Sequence, residues 1–195
     1  MKRILFVCTG NTCRSPLAEG MLRLLAAEQG LELEVKSAGV AANEGAPASR
    51  HTVHILREKG FTAPLSSSSL TESLASWADV ILTMTSSHKR YAVQKFPESV
   101  DKIHSLGEFV EDDQNVLDAI EELAQLEAEL QVKAALSEPI TQDELARLRE
   151  LQRKLPDYDI ADPFGGSLDL YRQSAVEIER SLLKLLKRLK STGEN

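Results

Sequence analysis

The sequence predicts an α/β fold of three layers, in which a four-stranded parallel sheet carries helices on both faces and an inserted helical hairpin interrupts the pattern. Short apolar runs typical of buried strands alternate with stretches whose apolar residues recur at helical spacing. The first run, residues 3–7, is nearly continuous, as expected for a parallel strand buried on both faces. Residues 111–157 are strongly acidic and break the alternation, which identifies them as the insertion.

Three elements are predicted after the first strand, from the spacing of their apolar residues and from the glycines that follow them. Pro16 suits the first turn of the first helix, where a missing N–H costs nothing. In the second helix we expect Val53, Ile55 and Leu56 to face inward. The predicted elements are a helix that begins at Ser15, a strand at residues 34–37 that stops at Gly39, and a helix at residues 49–59 that ends at Gly60.

The second half of the body repeats the alternation. Thr71 is a candidate cap for its first helix, and Val80, Ile81 and Leu82 form the centre of its first strand. The predicted elements are a helix at residues 70–77, a strand at 79–84, a helix at 86–95, a strand at 102–106 and a last helix at about 168–190. Right-handed crossovers place the first strand inside the sheet and the loop after it at the crevice where such sheets bind ligands.

The insertion has its own sequence signals. Residues 111–157 carry 13 acidic and 5 basic residues, a net charge of −8, whereas the rest of the chain has a net charge of +1. A structureless loop of this length is unusual, and apolar residues recur at helical spacing on both sides of a turn at residues 137–139. Thr141 and Glu144 form a capping-box pattern ahead of the second stripe. We therefore expect an acidic helical hairpin within one domain that spans residues 1–195.

Two roles for this hairpin remain open at the sequence level. It is either a solvated insertion, which costs little stability, or an acidic surface or lid that selects basic partner proteins by complementary charge. We expect its apolar stripes to pack on each other and on the body beside Asp162.

Composition excludes several classes of protein. No stretch approaches the ~18 apolar residues of a membrane span, and the apolar run at residues 4–7 is shorter than the ~7–15 residues of a secretory signal. A cytoplasmic protein without a membrane partner is therefore expected. A net charge of −7 argues against a nucleic-acid partner. With two cysteines and four histidines, neither a disulfide scaffold nor a structural zinc site is predicted, and no metal or cofactor is expected.

The loop between the first strand and the first helix predicts a phosphate site with a nucleophile. Its successive N–H groups can form an anion-binding nest, and the helix adds its positive end. Gly10 and Asn11 tolerate the left-handed conformations of a tight loop, and the planar fork of Arg14 matches two phosphoryl oxygens. These surroundings favour a nucleophilic thiolate at Cys8. The predicted phosphate-binding residues are Thr9, Gly10, Asn11, Thr12, Cys13, Arg14 and Ser15.

Phosphoryl transfer to a thiolate also requires a proton donor for the leaving group. Asp162 is the best candidate, because it stands in a turn-rich segment with Pro163, Gly165 and Gly166 just before the last helix, with Phe164 beside it. An acid in such a segment is also commonly a turn or capping residue, so both interpretations stay open from the spacing alone.

Three motifs together resemble the low-molecular-weight protein tyrosine phosphatase family. They are CTGNTCRSP from Cys8, SAG from Ser37 and DPFGG from Asp162, and the resemblance covers the chain outside residues 111–157. It implies that Cys8 is the nucleophile, that Arg14 binds the phosphoryl group and that Asp162 is general acid and then general base. It also implies that Ser15 bonds the thiolate, while Asn11 and Ser37 brace the loop.

Within the family, Thr12 and Phe164 bear on substrate selectivity. Tyrosine phosphatases usually carry isoleucine at the position of Thr12, whereas bacterial protein arginine phosphatases carry threonine, and Phe164 also fits the arginine-phosphatase pattern. The resemblance therefore implies a phosphatase that hydrolyses phosphoarginine on protein partners through a phosphocysteine intermediate. A tyrosine phosphatase and a non-catalytic module that binds phosphorylated residues are the alternatives. A thioredoxin-coupled arsenate reductase would need cysteines after Cys13, and the chain has none.

Cys8 and Cys13 also predict redox control. Four residues separate them in a tight loop, so their Cα atoms can approach within the ~4.4–6.8 Å that a disulfide spans. We expect Cys8 to be exposed and oxidised first, and Cys13 to resolve the sulfenic acid as a disulfide. The alternative is that Cys13 only fills space behind the loop.

Overall fold

The computed structural model describes residues 2–191, so residue 1 and residues 192–195, the ends of the predicted domain, lie outside the described residues. The chain divides into two compact units. The first unit comprises residues up to 110 and residues from 158 onward, and the second comprises residues 111–157.

The sheet of the first unit has four parallel strands in the order β2-β1-β3-β4, so the prediction of a parallel sheet with the first strand inside it is confirmed. The strands are β1 (Lys2–Cys8), β2 (Leu33–Gly39), β3 (Val80–Thr83) and β4 (Ile103–Ser105). The last two are shorter than predicted. Asp79 lies outside β3, where its carboxylate pairs with Arg3, and a 3-10 helix at Pro97–Lys102 ends directly before β4.

Eight α-helices occur among the described residues. They are α1 (Arg14–Glu28), α2 (Arg50–Glu58), α3 (Glu72–Trp77), α4 (Ser86–Lys95), α5 (Leu106–Phe109), α6 (Gln114–Ala135), α7 (Gln142–Lys154) and α8 (Leu168–Ser191). Only the short α5 was not predicted. The predicted cap of α3 is present, because the Thr71 side chain accepts a hydrogen bond from the Leu74 N–H.

Helices cover both faces of the sheet, as predicted. Ile4, Phe6 and Cys8 of β1 point into a core built with α1, α2 and α8. Leu5 and Val7 point into a second core on the opposite face, which α3 and α4 complete. This alternation explains why β1 is apolar at nearly every position.

The inward face of α2 differs from the prediction at one position. Ile55 and Leu56 are buried as expected, but Val53 is only half-buried. Thr52 is fully buried in its place, because its hydroxyl donates to the carbonyl of Cys13 in the loop before α1. A polar contact to the loop therefore decides which residue of this helix faces inward.

The second unit consists of α6 and α7, which pack against each other. The capping box at Thr141 and Glu144 is present, as its pattern predicts. Lys133 of α6 pairs with Glu144, and Arg147 of α7 pairs with Glu122, so ion pairs join the two helices. None of the described helices is both long enough and apolar enough to cross a lipid bilayer.

Candidate active site

The loop between β1 and α1 borders a cavity of about 180 Å³. The cavity is lined by Cys8, Thr9, Gly10, Thr12, Cys13, Arg14, Asp162 and Phe164, each of which the sequence predicts as a site residue. The other predicted site residues, Asn11, Ser15 and Ser37, are buried and bonded to one another. The structure therefore brings two segments that lie nearly 150 residues apart to one cavity.

The carbonyl groups of the loop are bonded to the surrounding body. The acceptors and donors are Cys8 O with the Val40 N–H (3.0 Å), Thr9 O with the Ala41 N–H (2.9 Å), Gly10 O with the Ser67 hydroxyl (3.0 Å) and Thr12 O with the Ser49 N–H (2.8 Å). By contrast, the N–H groups of Gly10, Asn11, Thr12 and Cys13 donate to no acceptor within residues 2–191. Unpaired N–H groups curled at the start of a helix form a receptor for an anion.

Asn11 anchors the loop from behind. It has a φ of 53°, the left-handed conformation expected for this residue type. Its side-chain amide donates to Ser15 Oγ at 2.9 Å and to Ser37 Oγ at 2.8 Å, and its carbonyl oxygen accepts from the Ser68 N–H at 2.8 Å. Ser15 Oγ accepts from Asn11, and its own hydrogen can be donated to Cys8 Sγ at 3.0 Å or to the carbonyl of Ala38 at 3.4 Å.

Glu19 extends this network and was not predicted. Ser37 donates to Glu19 Oε2 at 2.5 Å, and Arg23 pairs with the same carboxylate at 2.6 Å. Burial raises the pKa of Glu19, and the contacts with Ser37 and Arg23 oppose this shift. The sequence signal is a charged residue among the inward positions of α1, a pattern that apolar periodicity alone passes over.

Of two glycines near the loop, Gly39 ends β2 as predicted, whereas Gly10 differs from its expectation. Gly10 does not adopt a left-handed conformation, so the expectation of that conformation at Gly10 is wrong and Asn11 alone has it. Gly39 is required by close packing, because a Cβ atom there would lie 2.5 Å from Thr9 O and 2.9 Å from Asn11 N. Gly39 therefore lets the loop rest directly on the end of β2.

Arg14 and Asp162 form an ion pair in the cavity. Arg14 Nη2 lies 2.7 Å from Asp162 Oδ2, and Arg14 Nη1 donates to the carbonyl of Ile160 at 3.0 Å. Arg14 Nε is the single fully buried side-chain nitrogen or oxygen among the described residues that has no hydrogen-bond partner. A buried guanidinium with an unused N–H donor, next to unpaired backbone N–H groups, can bind an additional oxyanion by donating hydrogen bonds to it.

Thr12 contributes a polar wall to the cavity, and Phe164 contributes an aromatic one. Thr12 Oγ1 has one polar neighbour, Cys13 Sγ at 3.5 Å, so this hydroxyl retains hydrogen-bonding capacity. Phe164 is 77% exposed, and its N–H donates to Asp162 Oδ1 at 3.2 Å. The structure thus places both predicted selectivity residues at the cavity.

His88 of α4 belongs to the site although the sequence gives no signal for it. Its Nε2 atom lies 2.8 Å from Thr9 Oγ1, and its Nδ1 atom lies 2.8 Å from Thr85 Oγ1. Burial, followed by the positive charge of Arg14, lowers the pKa of His88 to about 4. The ring is therefore neutral at neutral pH.

The surroundings of Cys8 differ from the prediction. Cys8 was expected to be exposed, but only 3% of its surface is exposed because it ends a central strand beneath the loop. Cys13 is also buried, and its Sγ atom lies 3.1 Å from the hydroxyl of Tyr171 on α8. Burial and the contact with Cys13 raise the pKa of Tyr171 to about 12. Both cysteines are free thiols.

Within residues 2–191, no cluster of three or more His, Cys, Asp or Glu side chains has the spacing to hold a metal ion.

Comparison with known proteins agrees with this geometry. The family model for low molecular weight phosphotyrosine protein phosphatases matches residues 3–130. A protein-arginine-phosphatase of Geobacillus stearothermophilus is 38% identical over 97% of both chains, and that of Bacillus subtilis (strain 168) is 35% identical over 96% of both chains. A solved structure of a YwlE arginine phosphatase mutant, with a phosphorylated active site serine, has a TM-score of 0.72 and 34% identity over 96% of this chain and 95% of that one.

Proposed function

The chain belongs to the low molecular weight phosphotyrosine protein phosphatase family of cysteine-dependent enzymes, and we propose that within this family it hydrolyses phosphoarginine on proteins. The observation that carries this choice of substrate is the Thr12 hydroxyl at the cavity wall, which retains hydrogen-bonding capacity. Its oxygen can accept an N–H from a guanidinium group, whereas a tyrosine ring offers no such donor. The two arginine phosphatases that resemble this chain support the choice.

The phosphoryl group is bound by the loop and by Arg14. Its oxygens accept hydrogen bonds from the unpaired N–H groups of the loop and from the unused Nε donor of Arg14. Because the incoming oxyanion competes for the guanidinium, it weakens the ion pair between Arg14 and Asp162. Asp162 is then released toward the leaving group on the open side of the cavity.

The reaction proceeds in two steps through a phosphocysteine. Asp162, released from Arg14, takes a proton from solvent. The Cys8 thiolate then attacks phosphorus, the P–N bond breaks, and Asp162 gives this proton to the departing guanidine nitrogen. The Asp162 carboxylate then removes a proton from a water molecule, which attacks phosphorus and breaks the S–P bond. Inorganic phosphate leaves, and the Cys8 thiolate is restored with the Ser15 hydroxyl donating to it.

A tyrosine phosphatase is the second candidate, favoured by the exposed ring of Phe164 at the cavity, on which a phosphotyrosine ring can stack. A non-catalytic binding module is disfavoured, because binding alone does not require a cysteine and a carboxylate beside the anion site.

The deciding experiment compares kcat/KM for two peptides of one sequence that carry either phosphoarginine or phosphotyrosine. We expect a higher value for phosphoarginine. A higher value for phosphotyrosine would reverse the assignment, and tight binding of both peptides without release of phosphate would identify a binding module.

A further inference from the structure

His88 is held at both ring nitrogens beneath the wall of the cavity. Only 6% of its surface is exposed, and its Nε2 and Nδ1 atoms each lie 2.8 Å from a threonine hydroxyl, those of Thr9 and Thr85 respectively. Thr85 also caps α4 by accepting from the backbone N–H of His88. The helix end and the imidazole ring are therefore fixed by the same residue, which leaves the ring little freedom to turn.

The contact between His88 and Thr9 orients a hydroxyl that lines the cavity. A neutral imidazole offers one donor and one acceptor, and a hydroxyl offers one donor and two acceptor lone pairs. If Thr9 donates to Nε2, both lone pairs of its oxygen remain free. If Nε2 donates to Thr9, one lone pair and the hydroxyl hydrogen remain free. In either tautomer the Thr9 oxygen keeps an acceptor.

This acceptor distinguishes the two classes of leaving group. In phosphoarginine the leaving group is a guanidinium, and its nitrogens carry N–H donors and no acceptor. In an aryl phosphate ester the leaving oxygen is attached to an aromatic ring, which carries no hydrogen-bond donor. Thr9 and Thr12 are the two hydroxyl-bearing residues of the cavity lining. A second fixed acceptor beside Thr12 would raise the preference for phosphoarginine.

We propose that Thr9 is a second specificity residue, whose hydroxyl accepts an N–H of the phosphoarginine guanidinium, and that His88 is the positioning residue that holds this hydroxyl. The proposal rests on the proposed phosphoarginine specificity. It adds a role to Thr9 beyond the phosphate-binding loop and gives a role to a buried histidine that the reaction itself does not use.

The test measures kcat/KM for a phosphoarginine peptide and for 4-nitrophenyl phosphate, and compares their ratio between variants. Thr9→Val removes the hydroxyl at nearly constant volume and should lower the ratio roughly tenfold, as expected for one hydrogen bond to a charged group. Thr9→Ser keeps the hydroxyl and should restore most of the ratio. Thr62→Val, at an exposed threonine outside this cavity, is the matched control.

The positioning role of His88 is tested by a double-mutant cycle. His88→Asn should lower the same ratio, and in the Thr9→Val background it should produce no additional decrease, because the hydroxyl that it positions is already absent. His88→Leu provides a second variant if the asparagine protein folds poorly, and His54→Leu on the exposed face of α2 is the matched control. Circular dichroism confirms that each variant is folded before its kinetics are compared.

Two results would overturn the proposal. Equal losses on both substrates in Thr9→Val would show that Thr9 only supports the loop, and additive effects of the two substitutions would show that His88 acts independently of Thr9. Failure of the proposed function gives a different pattern, because the unmodified protein would then show no preference for the phosphoarginine peptide at all.

Discussion

Arg14 takes part both in the proposed binding of the phosphoryl group and in holding Asp162, the proposed general acid and base. Its three nitrogens have three different surroundings, namely the Ile160 carbonyl, the Asp162 carboxylate and no partner at all. The first bond fixes the plane of the guanidinium, and in the proposed reaction the other two nitrogens bind the phosphoryl group and hold Asp162. We therefore expect any change at Arg14 to disturb both the binding of the phosphoryl group and the position of Asp162.

The nucleophile is tested by Cys8→Ser. We expect this substitution to abolish turnover, because a serine hydroxyl in the same place is a much weaker nucleophile. The backbone N–H of Asn11 and the guanidinium of Arg14 remain available to bind the anion. Steady-state release of phosphate from 4-nitrophenyl phosphate measures the effect. A metal chelator should leave the unmodified protein fully active, and turnover that survives Cys8→Ser or is lost with the chelator would refute the phosphocysteine route.

The choice of leaving group is tested by Thr12→Ile. Replacing the hydroxyl by an apolar side chain should reduce kcat/KM for a phosphoarginine peptide roughly tenfold or more and should keep or raise that for the phosphotyrosine peptide. Thr62→Ile at an exposed position is the matched control. If both substrates lose activity to the same extent, Thr12 supports the loop and does not select the substrate.

The residues of the site divide according to how far apart their partners lie in the sequence. Cys8, Asn11, Arg14 and Ser15 stand within eight consecutive residues, so their chemistry could be predicted from one motif. His88 and Tyr171 could not be predicted, because their contacts with the loop join residues 79 and 158 positions apart. The exposure of Cys8 was predicted wrongly for a related reason, since burial depends on the loop and helices that later segments pack around it.

Among the elements, α4 links the site to the pH dependence of stability. The pKa of His88 is about 4 in the folded protein and about 6.5 when the chain is unfolded. Between these values the unfolded chain binds a proton that the folded protein does not, so this group destabilises the fold as the pH falls from about 6.5 to about 4. Below about 4 its contribution stays constant.

Chemical denaturation at a series of pH values measures this effect. We expect the free energy of unfolding to decrease through this window in the unmodified protein and to decrease less in His88→Asn. His54→Asn, at an exposed histidine of α2, is the matched control. The same slope in His88→Asn as in the unmodified protein would assign the dependence to other groups.

The loop before α1 is the element that carries the predicted redox control. In the proposed process, peroxide would convert the Cys8 thiolate to a sulfenic acid, and the Cys13 thiol would then condense with it to form a disulfide and water. For this step Cys13 Sγ must leave its contact with the Tyr171 hydroxyl. Activity lost to peroxide should return with a thiol reductant in the unmodified protein and should not return in Cys13→Ala, where oxidation continues to the sulfinic acid. Equal recovery in both proteins would remove Cys13 from the process.

On the scale of the whole molecule, the cavity residues and the excess of acidic residues lie in different units. Every residue that lines the cavity belongs to the first unit, whereas the second unit carries 13 acidic and 5 basic residues. The position and helical nature of this insertion could be predicted from the chain, because its composition and its capping box are local signals. We propose that it selects basic surfaces on phosphorylated partner proteins.

Replacing residues 111–157 with a short Gly/Ser linker tests that role. Turnover of 4-nitrophenyl phosphate should stay within a few-fold, because the cavity keeps all its lining residues. Turnover of a phosphorylated basic protein should fall at low ionic strength, and its dependence on salt should weaken, because screening then has less charge to act on. Unchanged turnover of the protein substrate would leave the insertion without a part in recognition.

The long sequence distance between Arg14 and its partners also orders events during synthesis of the protein. The carbonyl of Ile160 and the carboxylate of Asp162 lie 146 and 148 residues after Arg14. At ~5–20 residues per second a ribosome needs roughly 7–30 s to add that much chain. During this interval the nascent polypeptide carries the thiol and the anion loop but lacks the carboxylate that the proposed reaction uses as its acid, so we expect that reaction to require synthesis of nearly the whole chain.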